Sequence, residues 1–183
     1  IVSCKNATIS FNGAPRTISN TNELLGNLDG VYGVKTGFTF GAGRCLVSSC
    51  KRNNLDIIVV VLGADTKKIR TRDSYNLINY IYNTYNYVNI SSTINNNFLD
   101  YLSYLESNYI LDKTTTTPIL KLQSLDNYEY PLKKEDISNL STKIYTINKL
   151  SYNTPAGSKI GSLCLYNGDS LLCETDIILD NTL

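Results

Sequence analysis

Residues 7–11 alternate apolar and polar positions with a period of two, Asn12-Gly13 interrupts the alternation, and residues 15–19 take it up again. That pattern predicts a β-hairpin. A polar connector with a Leu pair follows over residues 20–27. Residues 31–36 have strand character and run into a glycine-rich stretch, 37–43. Residues 44–51 and 55–63 then read as two strands joined by the turn Arg52-Asn53-Asn54. The second is apolar throughout, the pattern of a strand inside a sheet with both faces covered. Asp65 or Thr66 offers an N-cap for a helix ending near Tyr85. Ile69, Leu77, Ile78, Ile81, Tyr82 and Tyr85 fall mostly at three- and four-residue spacings, which gives one apolar stripe to pack on the sheet.

Past the polar residues 83–89 the texture changes, and a domain boundary is expected there, between residues 86 and 87. Short strand-like runs recur at 87–90, 118–122, 128–132, 142–150, 159–166 and 170–179, while 100–111 fits helix and strand equally. This predicts a small all-β, sandwich-like domain. The fold class expected for the whole is α+β, with an antiparallel sheet and packing helix over 1–86 and a β-rich domain over 87–183.

Composition narrows the function classes. Apolar residues make up 42% of the 183 and charged residues 18%, with 14 Tyr, a mix that suits β structure with polar loops rather than a disordered chain. A net charge of +1 argues against nucleic-acid binding, and the cluster Lys67-Lys68-Ile69-Arg70 reads as solvated surface. No run approaches the roughly 18 apolar residues of a membrane span. The opening Ile-Val-Ser-Cys is strand-like and lacks Met, so a truncated or cleaved chain is expected.

Histidine is absent, which removes His-based triads and dyads and most zinc sites. Hydrolytic chemistry would need Ser/Lys, carboxylates or residues from elsewhere, and neither metal nor cofactor is expected. The five Cys form no Cys-x-x-Cys. Cys45 and Cys50 lie five apart on one strand and face opposite ways. Cys164 and Cys173 flank Asn167-Gly168-Asp169-Ser170. A two-residue Gly-Asp turn would set them opposite each other, whereas an Asn-Gly turn would set Cys164 opposite Leu171.

The sharpest chemical signal is Lys35-Thr36-Gly37 at the end of a strand. Lys35 would supply an ammonium that stabilises negative charge and assists proton transfer, which makes it the catalytic candidate. Thr36 would offer a hydroxyl to a substrate carboxylate. Gly37, with no side chain, would let a substrate backbone approach and pair with the strand. The triplet recurs in β-lactamases and penicillin-binding proteins.

Its surroundings extend the match. Asn-Thr-Asn-Glu-Leu-Leu-Gly at 20–26, Asp-Gly-Val-Tyr-Gly-Val-Lys-Thr-Gly-Phe-Thr at 29–39, residues 42–52, and Val-Val-Val-Leu-Gly-Ala at 59–64 resemble low-molecular-mass penicillin-binding D-alanyl-D-alanine carboxypeptidases. The likeness is strong over residues 1–86. It is weaker over 152–179, where Pro-Ala-Gly-Ser-Lys-Ile-Gly leads into what resembles that family's C-terminal β domain.

The resemblance implies a penicillin-binding/β-lactamase-like fold. It implies substrate-binding roles for Lys35, Thr36, Gly37, Thr39 and Arg70, the last either holding a terminal carboxylate or standing as a solvated first-turn arginine. It also implies an acyl-enzyme reaction that trims D-alanine from peptidoglycan pentapeptides, acylation by β-lactams, and a place on the outer face of the cytoplasmic membrane. Membrane association would come from a C-terminal segment outside this chain.

The family's Ser-x-x-Lys and Ser-x-Asn precede Lys-Thr-Gly, and both are taken as absent from the 34 residues ahead of Lys35. Ser48-Ser49-Cys50-Lys51 matches by letter but lies on a strand, where positions three apart face opposite ways. Ser151-Tyr152-Asn153 lies in the β-rich half. The chain alone is therefore expected to be inactive, its partners pentapeptide and β-lactam engaging only with an N-terminal half. The alternatives are a non-catalytic envelope stalk or binding module and a β-lactamase.

Overall fold

In a computed structural model of the chain, the described residues are 1–108, 117–123, 128–147, 150–151 and 153–182. The ends of the expected elements at 100–111 and 142–150, and Tyr152 of Ser-x-Asn, lie outside them. The chain divides into two compact units, Ile1–Asn86 and Tyr87–Leu183.

The first unit opens with the hairpin β1 (Asn6–Phe11) and β2 (Ala14–Ser19). Its two-residue turn uses Asn12 and Gly13 at φ of 51° and 79°, the left-handed pair that Asn-Gly supplies at low cost. The main sheet is antiparallel in the order β3 (Val31–Thr39), β4 (Gly43–Arg52), β5 (Leu55–Ala64). Helix α1 (Lys67–Thr84) begins at Thr66, whose hydroxyl accepts the Ile69 N–H at 3.1 Å. The core joins Val31, Leu46, Cys50, Val59 and Ile78 to Leu24 and Leu25, so the connector's Leu pair is structural.

Three expectations change here. Strand β3 runs through Gly37 to Thr39 instead of yielding to a glycine-rich loop at 37. Strand β5 is an edge strand with one covered face, not an interior strand. Leu55 and Val59 are buried, whereas Ile58 and Leu62 are each 70% exposed. An all-apolar strand carries no period-two signal, so its composition cannot tell a covered face from an open one. The buried row of α1 is Arg70, Ser74 and Ile78, four residues apart, while Leu77 is 44% exposed. Two polar members hid that row from a count of apolar spacings.

Strand β6 (Tyr85–Asn89) runs across the boundary into the second unit, which continues with α2 (Ile90–Asn108), β7 (Leu120–Leu122), β8 (Glu129–Lys133), β9 (Leu140–Thr146), β10 (Lys159–Asn167) and β11 (Ser170–Leu179). A four-stranded antiparallel sheet has the order β7-β11-β10-β9, and β6 pairs with β8. The unit is β-rich but not all-β, and the molecule as a whole is α+β. Ile90, Ile94 and Phe98 of α2 share a core with Ile160, Leu163, Leu165, Ile177 and Leu179. The Asn89 carboxamide oxygen caps the helix by accepting the Ser91 and Ser92 N–H groups at 3.0 and 3.3 Å.

The β10–β11 turn is the Gly168-Asp169 form, with Asn167 facing Ser170. A shift between Leu165 and Tyr166 then moves the register by one, so Cys173 faces Leu165 and Cys164 faces Glu174. The bulge prevents the direct opposition that this turn would otherwise give. Both cysteines are free thiols, and burial raises the pKa of each.

Candidate active-site wall

Among the described residues strand β3 pairs with β4 alone, which leaves its other backbone edge free beside Lys35, Thr36 and Gly37. A Cβ added at Gly37 would meet only the Cys45 Cβ, at an ordinary 3.7 Å. Internal packing therefore does not require glycine there, and the open strand can admit a second backbone.

Along this edge lies a hollow of about 530 Å³. The sheet contributes Lys35, Thr36, Gly37, Phe38 and Arg44, and α1 contributes Lys67 and Arg70. Asn20, Thr21 and Glu23 come from the connector. Four of the five residues carried over from the family thus meet in one place. Thr39 is not in the hollow; its hydroxyl accepts the Ala42 N–H at 2.9 Å and holds the β3–β4 turn.

Local contacts fix the geometry. The buried Asn22 donates its carboxamide N–H to the Gly33 carbonyl at 2.9 Å and accepts the Leu24 N–H at 3.1 Å, which fastens the connector to β3. Its neighbour Thr21 then places its hydroxyl 2.6 Å from that of Thr36. Lys35 Nζ donates to the Thr36 carbonyl at 2.6 Å. Arg70 is only 3% exposed, so the solvated reading of this residue is wrong. Its guanidinium lies 3.6 Å from the Glu23 carboxylate, which also accepts the Thr71 hydroxyl, and its Nε has no hydrogen-bond partner. A buried cation with an unused donor is costly unless a further acceptor arrives.

Four cationic side chains, Lys35, Arg44, Lys67 and Arg70, face a single carboxylate in the hollow. The arrangement suits an extended ligand ending in a carboxylate: the edge of β3 pairs its backbone, and Thr36 with Arg70 takes its charge. Among the described residues, no three His, Cys, Asp or Glu side chains gather as metal ligands.

Thr21, Asn22, Glu23 and Lys67 had not been singled out. Thr21, Asn22 and Glu23 carry no sequence signal beyond the Asn-Thr-Asn-Glu string, whose Asx-type side-chain bonds show only when folded, and Lys67 none beyond its basic cluster. Ser48 is fully buried on β4 while Lys51 is exposed, so these two do not form a pair. Contrary to the expected absence, Ser10-Phe11-Asn12 spells Ser-x-Asn ahead of Lys35. It lies at the tip of the exposed β1–β2 hairpin and is not in the hollow.

This α+β arrangement, an antiparallel sheet backed by a helix and followed in the chain by a β-rich unit, is similar to part of the fold of solved penicillin-binding proteins. Penicillin-binding protein 5 of Haemophilus influenzae matches 99% of this chain at a TM-score of 0.59 and 21% identity, over 49% of its own length. The profile of the D-alanyl-D-alanine carboxypeptidase family matches residues 2–66, a segment that includes Lys35-Thr36-Gly37. D-alanyl-D-alanine carboxypeptidase DacF of Bacillus subtilis is 28% identical over 158 residues, 86% of this chain and 38% of that protein. D-alanyl-D-alanine carboxypeptidase DacC of Escherichia coli is 46% identical over 63 residues, 33% of this chain and 16% of that protein. The chain thus spans well under two thirds of the length of these relatives. No helix among the described residues is long and apolar enough to cross a membrane.

Proposed function

We propose that this chain forms the substrate-binding wall of a serine-type D-Ala-D-Ala carboxypeptidase acting on peptidoglycan peptides outside the cytoplasm, at the outer face of the cytoplasmic membrane. The carrying observation is the convergence of Lys35, Thr36, Gly37 and Arg70 on one cation-rich hollow beside a free strand edge. The peptide lies along β3 with Gly37 against its backbone. Its terminal carboxylate is held by the Thr36 hydroxyl and by Arg70, whose Nε is available for an acceptor. Lys35 stabilises the charge that develops as the scissile carbonyl is attacked.

The nucleophile is a serine from a part of the protein outside these residues. Its oxygen bonds the carbonyl carbon, the peptide C–N bond breaks, and D-alanine leaves with the proton on its amine. Water then hydrolyses the ester. β-Lactams acylate the same serine. Residues 1–86 belong to the catalytic domain in this reading, and 87–183 form a separate β-rich domain.

Two assays test the reading. The protein that contains this chain together with its upstream portion should release D-alanine from a pentapeptide ending in D-Ala-D-Ala. The 183-residue chain alone should form no covalent adduct with labelled penicillin. An adduct on the chain alone, or no D-alanine from the longer protein, would sink it.

A further inference from the structure

Of the two cations of the hollow that the reading above leaves without a task, Lys67 and Arg44, Arg44 is the one held by an aromatic ring. It faces Phe38 across the β3–β4 pair, and its guanidinium lies over the Phe38 ring at 3.7 Å from the centroid. Stacking of this kind fixes a planar guanidinium while leaving its edge N–H groups open to an anion. The stack rests on a second ring: Phe40 meets Phe38 edge-on at 5.5 Å and is 99% exposed. No carboxylate lies within ion-pair distance of Arg44 among the described residues, whereas Arg70 has Glu23.

The direction of the hollow says which part of a ligand reaches this shelf. Its β3 residues run from Lys35 to Phe38, with none earlier in the strand. A ligand whose terminal carboxylate sits at Thr36 therefore extends toward the β3–β4 turn. Thr36 and Phe38 are two positions apart on one side of the strand, about 7 Å. That is also the rise between a C-terminal residue and the residue two before it in an extended peptide.

Resting on the carboxypeptidase reading, we propose that Arg44, held by Phe38, is a specificity-determining residue. It binds a side-chain carboxylate on the third residue from the C-terminus of the substrate peptide, so the preferred substrates are dianionic at this end.

The test is an NMR titration of the longer protein containing this chain, its nucleophilic serine replaced by alanine, with three N-acetylated peptides: L-Glu-D-Ala-D-Ala, L-Gln-D-Ala-D-Ala, and the Gln peptide with its C-terminus amidated. The Glu peptide should bind about fivefold more tightly than the Gln peptide, as a partly exposed charge-assisted pair allows. Arg44→Gln should abolish that preference while leaving Gln-peptide affinity unchanged, which also reports that the variant is folded. Arg44→Lys should restore part of it. Equal binding of the Glu and Gln peptides with Arg44 in place, or a preference that survives Arg44→Gln, overturns the role of Arg44. Weaker binding of the amidated peptide would in that case still uphold the carboxylate site at Thr36 and Arg70. If none of the three peptides perturbs the hollow of the folded longer protein, both readings fall.

Discussion

Tyr82 shows how single side chains hold the first unit together behind its candidate site. Its hydroxyl reaches the carbonyls of Cys50 and Leu55 at 2.6 and 3.0 Å, bridging the end of β4 to the start of β5. Arg52 lies over its ring at 4.7 Å. Burial, with the nearby Cys50 thiol adding to it, raises the Tyr82 pKa well above its ordinary value. The folded state therefore keeps this proton after the unfolded chain has lost it. Its stabilisation is complete below the ordinary tyrosine value of about 10 and is lost as pH rises above it. Tyr82→Phe should cost about 1 kcal/mol at pH 8, the net worth of a hydrogen bond. Urea unfolding at pH 8 and pH 11 should show the wild type losing more stability between the two than Tyr82→Phe; equal losses would contradict this account.

At the same scale, Lys35, Thr36 and Gly37 were legible because three adjacent letters carry their chemistry. Thr21, Glu23 and Lys67 were not, because they meet that triplet only after the connector and α1 fold onto the sheet. Arg70 was found by its place in the family pattern, yet its burial was not: one letter in a basic cluster looks like solvated surface until the helix face is known.

Strands and helices whose polarity alternates were read close to their observed positions. Strand β11 was expected at 170–179 and is Ser170–Leu179, and α1 was expected from Asp65 or Thr66 and starts after Thr66. Misreadings came where the period was masked. Residues 90–99 carry Ser91-Ser92-Thr93 and Asn95-Asn96-Asn97, and this polar texture hid Ile90, Ile94 and Phe98, which are four apart and form the buried face of α2. The cap that starts this helix gives a direct check. Asn89→Ala removes the acceptor for the Ser91 and Ser92 N–H groups and should lower stability by about 1 kcal/mol. Asn89→Asp, which keeps the acceptor, should lose little. A denaturation midpoint unmoved by Asn89→Ala would show that the cap adds nothing to the stability of α2.

On the scale of the whole molecule, each unit has its own buried cluster, one around Leu46 and Ile78 and the other around Leu163 and Ile177. The candidate chemistry lies entirely in the first unit, on the free edge of β3. The family likeness was legible from residues 20–64, where the quoted strings fall, while the sheet's open apolar face on β5 was not, since an apolar strand looks the same covered or bare. The central claim is that Lys35 acts on the acyl-transfer step from this wall. The measurement that meets it most directly is the acylation rate constant for a labelled β-lactam on the longer protein containing this chain, wild type against Lys35→Ala. Loss of a preorganised charge beside the reacting carbonyl predicts a fall of about 100-fold or more, with the far-ultraviolet circular dichroism spectrum unchanged. An acylation rate unaltered by Lys35→Ala would contradict it.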